Sequence, residues 1–249
     1  MSLYEKISGY YDELFPLKKT RVSLITSFLE KEGMLILDVG CASGEQALAL
    51  AKKGHRVFGI DLDRDMVDAA REKAKSLDLR SKVEFLEKDM ANVGIDFLPA
   101  FFDAVICFGN TLVHLENPGK IEEFFKGVLK ILKNRGIFIL QVVNFDRVLA
   151  EKIMELPEIE SENFTFHREY FYNRIAHRIR FQAGVTEEKS GITKKYSELL
   201  YPLISTELRT TLENAAFSKI QFFGNESKAP YGKQSPALIA VARSIEEEK

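Results

Sequence analysis

The stretch ILDVGCASGEQALALAKKG, residues 36–54, limits what this chain can fold into more than any other segment. An apolar run, a turn of small residues and a helix-patterned segment follow one another without a spacer, which is the grammar of a strand feeding a helix. The same alternation continues through HRVFGID, RDMVDAAREKAKSL, KVEFLEKD, FFDAVICF, KIEEFFKGVLKILK and GIFILQVV. Strands apolar on both faces and interleaved with amphipathic helices predict an α/β chain, a mostly parallel sheet covered on both sides. At 249 residues, 45% of them hydrophobic, the chain has enough apolar side chain to fill one large core.

The rhythm changes after Asn144. FTFHREYFY, RIAHRIRFQAGV and ITKKYSELLYPL alternate with period two and predict an inserted antiparallel meander. Beyond it come a helix over about 206–216, a strand SKIQFFG, the polar loop NESKAPYGKQS and a last strand PALIAVAR, whose short connection makes an antiparallel pair. Ahead of the first strand, helical spacing broken at Pro16 predicts two short helices. A net charge of −2 gives no global attraction to nucleic acid or to an anionic bilayer. Cys41 and Cys107 lie in apolar strand-like contexts and read as small buried side chains. No Cys/His spacing suits a metal. With no signal-type N-terminus and no apolar run reaching about 18 residues, the expectation is a cytoplasmic protein outside the membrane. In the basic run HREYFYNRIAHRIR, strand alternation puts Arg174, Arg178 and Arg180 on one solvated face. The sharper alternative is an arginine fixing a substrate carboxylate, or a patch meeting an anionic partner.

Ligands of open α/β sheets bind beyond the carboxyl ends of the strands. Those ends are Asp38-Val39-Gly40, Asp61, Asp89-Met90 and Cys107-Phe108-Gly109-Asn110-Thr111. A dinucleotide fingerprint beginning at Gly40 fails at Ala42 and at Glu45, whose carboxylate at the helix start would repel a pyrophosphate. The pattern that fits is D-x-G-x-(G/A)-x-G, carried by Asp38, Gly40, Ala42 and Gly44, with acidic ends on the next two strands. In this it resembles the class I S-adenosylmethionine-dependent methyltransferases.

That resemblance implies a Rossmann-like seven-stranded, mostly parallel sheet with a final antiparallel pair, and S-adenosyl-L-methionine as cofactor. It implies that Gly40, Ala42 and Gly44 face the methionine part, Asp61 takes the ribose hydroxyls, Leu62, Met66, Asp89 and Met90 surround adenine, and Asp38 orients the loop or the cofactor ammonium. Phe108 joins this set from the fourth strand's end. Tyr4, Tyr10, Tyr11 and Arg21 are candidates for closing over the site, and Asn110 and His114 for orienting the acceptor or relaying its proton. CFGNTLVHL, QVVNFDRVL and the segments YPLISTELRTTLENAAF and GNESKAPYG are similar to those of glycine and sarcosine N-methyltransferase-like enzymes. This implies methyl transfer to a small-molecule amine or amino acid nitrogen. The expected organisation is a helical cap over 1–33, a cofactor core over 34–144, a substrate cover over 145–203 and completion of the core over 204–249. RNA or protein methylation, and cofactor binding without catalysis, stand as rival readings on the same fold.

Overall fold

The computed structural model describes residues 11–244. Tyr4, Tyr10 and the terminal IEEEK lie outside the described residues. Two short helices, α1 (Tyr11–Leu14) and α2 (Lys19–Thr26), flank Pro16 and precede the strand β1 (Leu35–Val39). The alternating core follows as α3 (Glu45–Lys52), β2 (Arg56–Asp61), α4 (Arg64–Ser76), β3 (Val83–Glu87), α5 (Val93–Asp96), β4 (Phe102–Cys107), α6 (Pro118–Ile131) and β5 (Leu132–Val143). Local chemistry marks the helix starts. Asp63 caps α4 by accepting from the amides of Asp65 and Met66, and Asn117 caps α6 by accepting from that of Lys120, with Pro118 at the first helical position.

β1 pairs in parallel with both β2 and β4, and strand order reverses between them, so the crevice that receives ligands opens beyond the ends of β1 and β4. The full order is β10-β11-β5-β4-β1-β2-β3, with β10 (Ser218–Phe223) and β11 (Ala237–Arg243) the antiparallel pair at one edge. Apolar side chains fill both faces of this sheet. Phe124, Phe125, Phe138 and Leu212 lie on one side, and Ile25, Ile36, Leu50 and Val67 on the other.

Between β5 and the closing helix α8 (Ser205–Asn214), the chain forms α7 (Phe145–Glu151) and then a separate antiparallel sheet in the order β6-β7-β8-β9. Its strands are β6 (Glu155–Glu160), β7 (Phe164–Asn173), β8 (Arg178–Glu187) and β9 (Thr193–Leu200). The meander is therefore present, with three differences from the sequence reading. Phe145–Glu151 is helical because Asn144 Oδ1 accepts from the Arg147 amide, and β6 adds a strand that Pro157 had disguised. Arg174 belongs to the β7–β8 turn. Asn173 Oδ1 accepts from the amides of Ile175 and Ala176, so Arg174 leaves the face it was expected to share with Arg178 and Arg180.

The meander is seated on the core at two places. Tyr170, Ile179 and Leu200 join the main core, and the Tyr201 amide donates to the Val113 carbonyl at 2.8 Å. Phe166, Phe164 and Val185 pack with Leu14 and Met66 in a smaller cluster. Asp12 of α1 also pairs with Lys73 and Ser43. Exposed ion pairs contribute at most about 1 kcal/mol, whereas burying one large apolar side chain contributes about 1.5–3 kcal/mol. The apolar seam therefore holds α1 down, and the charged contacts set its register.

Candidate active site

A cavity of about 750 Å³ lies over the carboxyl ends of β1, β2 and β4. Of the expected site residues within the described chain, Tyr11, Arg21, Asp38, Gly40, Ala42, Asp61, Leu62, Met66, Asp89, Met90, Phe108, Asn110 and His114 line it. Gly44 does not. It starts α3 with a φ of 83°, and a Cβ there would stand 2.7 Å from Phe85 and 2.8 Å from Ala70, so its task is close helix-to-sheet packing.

The loop after β1 is folded by its own hydrogen bonds. The amides of Gly40 and Cys41 donate to the Ile60 carbonyl, and that of Ala42 donates to Asp61 Oδ2 at 2.8 Å. Gly40 has a φ of 71°, and a Cβ on it would meet Thr111 Oγ1 at 2.4 Å, so the residue type is dictated twice. Asp61 also accepts the Asp63 amide on Oδ1 at 3.0 Å. The Leu62 amide adds to these bonds, so the fold fixes the carboxylate and leaves only part of its lone-pair capacity for a ligand, while burial holds the carboxyl above the usual range. Asp89 is fixed by capping the short turn that follows it, accepting from the Ala91 amide at 2.9 Å. Leu62 is 71% exposed at the rim and Met66 is fully buried beneath, an apolar pair facing the same space.

Asp38 is 1% exposed. Gln46 Nε2 donates to its Oδ1 at 2.9 Å, and its Oδ2 is buried without a hydrogen-bond partner. Burial pushes its pKa up to about 7, against the opposing influence of the Gln46 bond and the nearby Arg21. Arg21 is steered from behind. Its Nε donates to Glu226 Oε1 at 3.2 Å, and its guanidinium lies 5.5 Å from the centre of the Phe108 ring. Burial raises the Tyr11 hydroxyl and both thiols well above their usual ranges, which leaves Cys41 and Cys107 as inert packing groups.

At the opposite wall, Asn110 takes a left-handed conformation, and its Oδ1 accepts the Val143 amide at 3.0 Å. Its carbonyl oxygen is thus committed to joining the loop after β4 to the end of β5. Burial lowers the pKa of His114 and favours the neutral imidazole, with Glu198 of β9 acting in the opposite sense. The inner face of the meander completes the enclosure with Phe166, Arg168, Tyr170, Phe181, Glu198 and Leu200. Sequence reasoning gave Glu198 no place in the site and reached Arg168 only as one of the basic run HREYFYNRIAHRIR, without singling it out. The signal was in the alternation: Arg168 is in phase with Phe164, Phe166 and Tyr170, and Glu198 with Tyr196 and Leu200, so each is a charge on an apolar face. Glu226, which holds Arg21, lies in a polar loop with no periodicity to mark it.

Sheet order, the reversal point and the loop after β1 define the class. The chain has the class I S-adenosylmethionine-dependent methyltransferase fold, and residues 36–136 match the methyltransferase domain family. YqeM of Bacillus subtilis, which carries a provisional methyltransferase name, is 34% identical over 144 residues, 56% of this chain and 55% of that protein. The chain spans about half the length of the first curated relatives it matches. A carboxy-S-adenosyl-L-methionine synthase of Campylobacter hominis is 27% identical over 77% of this chain and 72% of its own length. Among solved structures, the CcbJ methyltransferase of Streptomyces caelestis superposes with a TM-score of 0.85 at 19% identity, covering 98% of both chains, a likeness of fold. The residues fit such a cofactor. Asp38 offers an unpartnered buried oxygen for its ammonium, Asp61 offers lone pairs for ribose hydroxyls, and Leu62 and Met66 offer an apolar slot for its base. Among the described residues no helix is long and apolar enough to cross a membrane.

Proposed function

We propose that this chain catalyses methyl transfer from S-adenosylmethionine to the nitrogen of a small-molecule amine by in-line displacement. The observation that carries this reading is the continuity of one cavity from Asp38, Asp61 and Asp89 at one end to the inner face of the meander at the other. Its volume, about 750 Å³, lies in the upper part of the roughly 300–1,000 Å³ range of pockets that enclose a drug-sized ligand. A nucleoside cofactor and a second small molecule fit there together.

The cofactor supplies a methyl group already activated on a sulfonium, so the protein's contribution is alignment and exclusion of water. Gly40, Ala42 and Asp38 would hold its amino acid end, Asp61 its ribose, and Leu62, Met66, Asp89 and Met90 its base. On the acceptor side, neutral His114 beside Glu198 orients the attacking nitrogen and takes up its proton. Asn110 keeps the loop after β4 at its distance from β5, and the segment 145–203 covers the site and keeps it dry. Isothermal titration with S-adenosylhomocysteine tests the first half of this reading, and absence of binding by the folded protein overturns it. Transfer of a labelled methyl group to a panel of primary and secondary amines tests the second half. Binding without transfer to any member would assign the chain a cofactor-sensing role instead.

A further inference from the structure

We propose that Arg168 selects for an acceptor bearing a carboxylate on an apolar body. The inference rests on the methyl-transfer reading above. On the inner face of the meander, Arg168 of β7 stands in register with Leu156 of β6 and Ala183 of β8. The rows on either side are Ile159, Phe166 and Val185, and then Tyr170, Phe181 and Glu198. Arg168 thus projects from an otherwise apolar part of the cavity wall. Its Nη2 donates to the Pro157 carbonyl at 2.6 Å, and its guanidinium lies 5.4 Å from the centre of the Phe166 ring. Its Nε is sealed from solvent and has no acceptor. Among the described residues no carboxylate forms an ion pair with it. Glu198, the acid on the same face, lies two strands away beside His114.

Arginine stays charged at any accessible pH, and a half-buried guanidinium whose neighbours are one carbonyl, one ring and the neutral Tyr170 hydroxyl is short of negative charge. An anion entering the cavity supplies it. Several features narrow the anion to a carboxylate. The basic group on the meander face is a single planar fork, which matches a planar monoanion, whereas the cavity's lysines, Lys18 ahead of α2 and Lys88 after β3, belong to other elements, and Lys88 is paired with Asp96. The walls around it are Leu156, Ile159, Phe166, Tyr170 and Phe181, so the remainder of the ligand is aromatic or aliphatic and larger than a simple amino acid. The cofactor's own carboxylate has a different partner within reach, since Arg21 acts on Asp38 at the other end of the cavity.

The test compares phenylacetate and octanoate with their neutral amides, phenylacetamide and octanamide, by titration into the chain with and without S-adenosylhomocysteine. At least one acid is expected to bind about tenfold or more tightly than its amide, and Arg168→Met to abolish that preference while Arg168→Lys keeps part of it. Affinity for S-adenosylhomocysteine is expected to stay within about twofold in both variants, with circular dichroism confirming that each is folded. Equal binding of acid and amide, an acid preference that survives Arg168→Met, or no saturable binding of either acid overturns the assignment. So does a loss of about tenfold or more in S-adenosylhomocysteine affinity in Arg168→Met, since it would place the guanidinium on the cofactor. Failure of the wild-type chain to bind S-adenosylhomocysteine would instead strike the methyl-transfer reading, and the acid-against-amide comparison without it would still decide the role of Arg168.

Discussion

Asp38 and Gly40, two residues apart, place opposite demands on the end of β1. Asp38 is a carboxyl buried with one oxygen unpartnered, facing Arg21 and Asp61 along with Gln46. Because its folded pKa of about 7 lies above its unfolded value, the folded state binds the extra proton. Stability without ligand therefore falls as pH rises from about 4 to about 7 and then levels off, by on the order of a few kcal/mol. Asp38→Asn, neutral throughout, is expected to flatten this slope in urea denaturation series and to be the more stable chain above pH 7. It is also expected to weaken S-adenosylhomocysteine binding, because a neutral amide holds an ammonium less well. Gly40→Ala combines a left-handed φ with a Cβ driven into Thr111. A loss of about 2–4 kcal/mol in denaturant unfolding is expected, with S-adenosylhomocysteine affinity falling at least about tenfold by titration.

At the scale of elements, Asn144 joins three parts of the fold. It follows β5 and caps α7, and its Nδ2 donates to the carbonyls of Gly232, Lys233 and Ser235, while Tyr231 Oη donates to its Oδ1 at 2.7 Å. The polar loop before β11 is thereby tied to the start of the inserted segment. Asn144 itself is buried, so Asn144→Ala removes the α7 cap and the ties to the loop together and is expected to cost about 2–4 kcal/mol in urea unfolding. Limited proteolysis is expected to cut first within 225–236. The elements themselves were legible where periodicity and capping agreed, as for α4, whose apolar spacing begins just after Asp63. They were illegible where a local device overrode the pattern, as with the Asx turn at Asn173 that ended β7 and with the bulged β6 that tolerates Pro157.

For the molecule as a whole, the cavity wall is assembled from the core and from the meander together, so its ligand should couple the two. S-adenosylhomocysteine at about a hundred times its Kd is expected to stabilise the chain by about 2.7 kcal/mol, read as a rise in Tm, and to protect the meander from proteolysis along with the core. A rise in Tm without protection of 145–203 would show that the cover does not respond to the cofactor. The end of the cavity formed by residues 36–90, where the cofactor is proposed to sit, was readable as a group of lining residues because a βα unit places its strand end, loop and helix start by local geometry alone. The acceptor half was not. Whether Arg168 and Glu198 face solvent or a ligand depends on which face of the meander lies against α1 and the loop after β4, a contact between segments far apart in the chain.

The sequence by itself determined the alternating strands and helices of the core, the small-residue turn after β1 and the acidic strand ends, since each follows from short-range sterics, capping and hydrophobic period. Only the tertiary structure decided that Gly44 packs rather than lines the cavity, that Arg21 is held by Glu226, and that a guanidinium and a carboxylate close the cavity from above. Those outcomes depend on long-range burial. A side chain's charge state and partners are set by what covers it, and the covering residues lie up to about two hundred positions away, as with Arg21 and Glu226, separated by 205 residues.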